Sequence, residues 1–152
     1  MIRILVYDSG CSNGDSDRIV SATVAGHSTK EVCSAVSALT QTFAAYLNEL
    51  QSEHFVVADI RQSESGGQFA VDAVCDAEDV ELMFNLDAAI TILRIGISGI
   101  YSDDVEFEDM CALEDCVERM DCLDQIAAWR EECGLERHEM VPPDWKREKV
   151  IF

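Results

Sequence analysis

The chain has 152 residues, 48% of them apolar and 27% charged, and thirty Asp and Glu outweigh eleven Lys and Arg for a net charge of −19. That length fits one compact core burying roughly two-thirds of the unfolded surface, and the apolar fraction excludes a disordered chain. The charge excludes nucleic-acid and anionic-membrane partners, which require Lys and Arg at the contact, and favours basic ones.

In chain order, residues 2–8 (IRILVYD) alternate Ile, Ile and Val against Arg, Leu and Tyr, the period of a strand. No basic segment leads into an apolar run and a cleavage site, so a secretory leader is not expected. Residues 9–17, with Asn13-Gly14, form a turn-rich connection, and 18–25 (RIVSATVA) predict a second strand in a hairpin with the first. Ser28-Thr29-Lys30-Glu31 offers a capping box with Ser28 as N-cap. Val32, Val36, Leu39, Phe43, Leu47 and Leu50 then follow at helical spacing. Strands are predicted over 54–61 and 68–74, a helix over about 78–99, buried on most of its circumference, and a short strand over 104–107. The apolar stretch 88–100 is broken by Arg94 and is too short to span a bilayer.

This ββαββαβ order predicts an α+β fold, a two-layer domain over 1–107 with two helices on one face of a mainly antiparallel sheet. From Glu108 the composition shifts. Residues 108–152 carry a net charge of −7, against −12 for 1–107, and predict an acidic helical extension running past Trp129 toward Cys133, with a stop at Gly134. Pro142-Pro143 makes the last stretch extended.

The expected compartment is the cytoplasm, where the seven cysteines (Cys11, Cys33, Cys75, Cys111, Cys116, Cys122 and Cys133) stay reduced. No Cys-x-x-Cys pair exists, so no metal and no cofactor are expected. Cys111, Cys122 and Cys133, eleven residues apart, would align on one helix but about 16 Å from one another, too far to share an ion. They read as small packing residues. His54 and His138 read as surface histidines without partners, and Asp103 and Asp104 as a solvated strand start.

One constellation carries chemistry. Gly26-His27 ends the second strand and Cys33 lies in the first turns of the next helix, where an imidazole and the helix N-terminus both favour a thiolate. Ser37 lies one turn beyond, on the side of Cys33. The competing reading of Cys33 is a structural thiol beside the apolar stripe.

The segment Gly26-His27 … Val32-Cys33-Ser34-Ala35-Val36-Ser37, with Gly66-Gly67-Gln68-Phe69 and the strand at 104–107, resembles the ribosomal-processing cysteine protease (Prp) family over residues 1–107. The resemblance implies a cytoplasmic homodimeric endopeptidase that trims an N-terminal extension from a ribosomal large-subunit protein or a phage capsid or scaffold precursor. It implies Cys33 as nucleophile, His27 as its base, Gly26 as a point of close backbone approach and Ser37 as a substrate contact. The helix-start amides would be the candidate oxyanion donors. Two features depart from the family. The loop between His27 and Cys33 is shorter than usual, and Lys30 stands where an Asp is common. They motivate an alternative, a catalytically inactive acidic binding or assembly module. A mimic of nucleic-acid charge has only the net charge behind it.

Overall fold

The computed structural model describes residues 1–10, 17–63, 67–111 and 119–135. The readings placed on Cys11, Asn13-Gly14, Gly66, Cys116, His138 and Pro142-Pro143 lie outside these residues. The elements run β1 (Ile2–Asp8), β2 (Asp17–Gly26), α1 (Lys30–Leu50), β3 (Val56–Gln62), β4 (Gln68–Asp76), α2 (Val80–Ser98), β5 (Val105–Cys111) and α3 (Arg119–Glu132). The sheet order is β3-β4-β2-β1-β5, antiparallel except for the β1–β5 pair.

Both helical crossovers, β2-α1-β3 and β4-α2-β5, join parallel strands separated by others. They start from oppositely directed strands and cross the sheet in opposite senses, so right-handedness puts α1 and α2 on the same face. That face buries Ile4, Val6, Val20, Val36, Leu47, Val71, Leu82, Leu86 and Ile97 in one core, each side chain contributing about 1.5–3 kcal/mol.

The sequence predicts this mainly antiparallel sheet with its two helices. The helical extension then adds a third layer. The alternate side chains of the central strands, Leu5, Tyr7, Ile19 and Val74, point to the other face and pack with Cys122, Ile126 and Trp129 of α3. Arg3 lies 5.0 Å from the Trp129 ring centroid, a cation–π contact. Arg130, 2% exposed, reaches under the helix to Asp72, Ser21 and Thr23. Gly134, at φ 85°, stops the helix as the sequence predicts, with the Leu135 N–H returning to the Arg130 carbonyl at 2.9 Å.

Four local readings are corrected. β5 runs through Cys111, beyond the strand end placed at 107, and Cys111 lies on a strand rather than in a cysteine row with Cys122. The Asp109 carboxylate accepts the Cys111 N–H and binds Arg94, which holds this acidic stretch in the sheet plane. The second helix is not buried on most of its circumference: Val80, Phe84, Ile92 and Ile95 are all at least 65% exposed. The N-cap of α1 is Thr29, whose hydroxyl accepts the Val32 N–H at 3.3 Å, because Ser28 belongs to the turn before it.

His54 is the fourth correction. Its side chain is 8% exposed and its Nδ1 lies 2.7 Å from Oδ2 of Asp79, the N-cap of α2. The Asp79 hydrogen bond, aided by the charges of Asp79, Glu81 and Glu53, raises the His54 pKa above its ordinary value against the opposing effect of burial. A raised native pKa gives stability that is complete below the unfolded value of about 6.5 and is lost as pH rises through the native value. Urea melts across pH 5.5–8.5 are expected to show this decline in wild type and a flatter profile in His54→Ala.

Candidate active site

β2 ends at Gly26 and β4 begins at Gln68, side by side in the sheet, and α1 starts immediately above them. Gly26 has φ 98°, and a Cβ there would overlap the Met1 carbonyl. The close backbone approach expected at this residue is therefore made by the chain's own Met1, just before β1. Gly26→Ala combines a left-handed backbone with that overlap and is expected to cost at least ~2 kcal/mol in denaturant unfolding.

The turn that follows is tied down on several sides. The Met1 amino group donates to the His27 carbonyl at 2.8 Å and lies 3.3 Å from Asp104. Ser28 and that amino group together hold the Asp104 carboxyl below its ordinary pKa. Asp104, which reads in the sequence as a solvated strand start, therefore helps fix the His27 turn.

The exposed His27 ring lies against Gly67. A Cβ at that glycine would stand 2.9 Å from His27 Nε2, and the Gly67 carbonyl accepts the Gly26 N–H at 2.9 Å. Gly67 thus gives the imidazole its place, a role visible in the sequence only as part of a glycine-rich turn.

With Thr29 as N-cap, Cys33 is the fourth helical residue and lies about 6 Å along the axis from the cap. It is half-buried. Its Sγ accepts the Ser28 N–H at 3.3 Å and lies 3.5 Å from the Ser28 carbonyl, to which the thiol donates. No hydrogen bond links it to His27, but the two residues line one pocket of about 120 Å³ with Ser37, Gln41, Gly67 and Phe69. Gly26 and Ser37, the two residues expected to contact substrate, also line it.

Two helix-start amides are already committed, that of Val32 to the Thr29 hydroxyl and that of Cys33 to the Thr29 carbonyl at 2.9 Å. Those of Lys30 and Glu31 are first-turn donors with no intrahelical acceptor. Lys30 is exposed at the helix start. Among the described residues no group of His, Cys, Asp or Glu is arranged to hold a metal ion, and no helix is long and apolar enough to cross a membrane.

The pocket therefore presents a partly exposed thiol, steadied by a backbone amide, beside an exposed imidazole. Such a pair can perform nucleophilic acyl transfer once the thiol turns from Ser28 toward the ring. Apo geometry of this kind commonly tightens only with substrate bound.

No protein-family model and no curated protein matches the sequence. Among solved structures, the chain is similar to the ribosomal processing protease Prp from S. aureus in complex with a substrate peptide, at 17% identity and a TM-score of 0.49, over 72% of this chain and 99% of that one. The same protease with a covalently linked product peptide aligns at 19% identity and a TM-score of 0.48, with the same coverage. SMU.848 from Streptococcus mutans aligns at 20% identity and a TM-score of 0.46, over 73% of this chain and 95% of that one.

Proposed function

We propose that the chain is a cysteine endopeptidase in which Cys33 is the nucleophile and His27 the base. The observation that carries this reading is that residues from two separate elements, the end of β2 and the first turns of α1, line one open pocket. In the reaction, His27 takes the thiol proton as Sγ attacks the peptide carbonyl carbon. The C–N bond breaks and the amine leaves with that proton. Water then adds to the thioester carbon, its proton passes through His27 to sulfur as the C–S bond breaks, and a carboxylic acid is released.

The resemblance to the Prp family supports a precursor with an N-terminal extension as substrate, either a ribosomal large-subunit protein or a phage capsid or scaffold protein. The −19 charge favours the basic ribosomal one through encounter rate. The proposed setting is a cytoplasmic homodimer, joined through the apolar stripe of Phe84, Ile92 and Ile95 that α2 leaves exposed.

Incubation with a precursor ribosomal protein, followed by mass mapping of the new N-terminus, tests the proposal. One internal cut is expected, abolished when Cys33 is alkylated beforehand, whereas a cut that survives alkylation would refute it. The second reading, a catalytically silent acidic binding module, rests on the thiol bonding to Ser28 instead of His27. The same assay with no cut in any precursor supports that reading.

A further inference from the structure

The pocket raises a question of size. At about 120 Å³ it has room for one side chain, while sites that enclose even a drug-sized ligand measure roughly 300 Å³ or more. The residues flanking a scissile bond must be held elsewhere. The pocket wall includes Gln62, the last residue of β3, and β3 is an edge strand of the sheet.

The hydrogen-bonding register of that edge is fixed. In the β3–β4 hairpin the Ser63 N–H donates to the Gln68 carbonyl and the Asp76 N–H to the Phe55 carbonyl, both at 3.0 Å. The bonded pairs are therefore the odd-numbered residues of β3, and the even-numbered ones turn their N–H and C=O groups away from the sheet. Ala58 obeys this, since its N–H donates outward to the Gln51 side chain at 3.1 Å. Past Ala58, Ile60 is 44% exposed and Gln62 is exposed, and no partner for their outward amides is found among the described residues. The charges on this stretch nearly cancel, with Asp59 3.6 Å from Arg61. The opposite edge, β5, carries Glu106, Glu108 and Asp109.

We infer that the free edge of β3 at Ile60 and Gln62 is the docking strand for the polypeptide to be cut. The substrate pairs there as a sixth strand and carries the following residue past Gln62 into the Cys33–His27 pocket. The occupant is an extended peptide recognised through its backbone, a mode in which main-chain hydrogen bonds supply affinity and a side-chain pocket supplies selectivity. This inference rests on the endopeptidase reading above.

Proline offers a clean test. At an outward-facing edge position it removes an N–H without taking a bond from the ladder. The measurement is the rate of Cys33 alkylation by acetyl-tetraalanine chloromethyl ketone, divided by the rate with iodoacetamide, in wild type, Ile60→Pro and Gln62→Pro. The ratio is expected to fall roughly fivefold or more in each variant, with the iodoacetamide rate unchanged in Ile60→Pro, which lies outside the pocket wall. A second arm leaves the protein untouched: N-methylation of single amides in the reagent is expected to lower the wild-type ratio at alternate positions only. A ratio unmoved by either change overturns the docking strand while leaving the thiol chemistry intact. A dimer that Ile60→Pro dissolves would assign the edge to a second copy and equally overturn it. A Cys33 no more reactive than Cys133 would remove the endopeptidase reading, and the docking strand with it.

Discussion

Arg130→Ala is expected to destabilise the chain by about 3–5 kcal/mol, the cost of leaving a buried charge without its partner. The Arg130 guanidinium donates to both Asp72 oxygens, at 2.7 and 2.8 Å, to Ser21 Oγ at 2.8 Å and to Thr23 Oγ1 at 2.8 and 3.0 Å. Asp72 is 2% exposed. Once Arg130 is gone, Asp72 keeps among its contacts the Ser21 hydroxyl at 2.8 Å and Arg61 at 3.7 Å but loses both short bonds to a guanidinium in the core. The same change unpins α3 from the face that it covers. Urea unfolding measures the loss, and a double variant, Arg130→Met with Asp72→Leu, is expected to recover most of it because both charges leave together. A loss under about 1 kcal/mol in the single variant would mean that α3 adds little to the fold.

In the peptidase reading, Cys33→Ala removes the nucleophile, and precursor cleavage is expected to fall by about 10⁴-fold or more. His27→Ala leaves the nucleophile and removes its base, with an expected loss of about 10²–10⁴-fold near neutral pH. The two variants differ in pH dependence. Without His27 the thiol proton must pass to solvent base, so His27→Ala activity is expected to climb with pH while Cys33→Ala stays flat. Gly67→Ala belongs between them. Its methyl would press on His27 Nε2 from 2.9 Å, so a displaced ring and a loss of roughly tenfold or more are expected, read by His27 NMR shifts and cleavage rate.

The fold was legible where one periodicity ruled. Residues 2–8 alternate cleanly, α1 carries its apolar stripe from Val32 to Leu50, and the hairpin pairings follow from strand order. What misled was apolarity without direction. The second helix is apolar nearly all round, which in the sequence implies burial on most of its circumference, yet Phe84, Ile92 and Ile95 face outward. The third layer was hidden because the helical spacing of Leu123 and Ala127 reads as an amphipathic acidic helix without naming the sheet face that Cys122, Ile126 and Trp129 cover. Its attachment depends on an Arg130–Asp72 pair 58 residues apart that no local pattern announces. At the candidate site, His27, Cys33, Gly26 and Ser37 could all be read from one short segment. Gly67 and Gln62 could not, because they reach the pocket through strand pairing with β2 and β4, nor could Asp104, which meets the His27 turn from beside β1.

The most direct test of the account is the pH dependence of iodoacetamide alkylation at Cys33, followed by peptide mass spectrometry in wild type and His27→Ala. Burial pushes the thiols of Cys111, Cys122 and Cys133 up, so the protein carries its own slow references. The account predicts that Cys33 is alkylated faster than these references across the neutral range and that this advantage is lost in His27→Ala. A Cys33 profile that matches its buried neighbours, or that ignores the loss of His27, would contradict it.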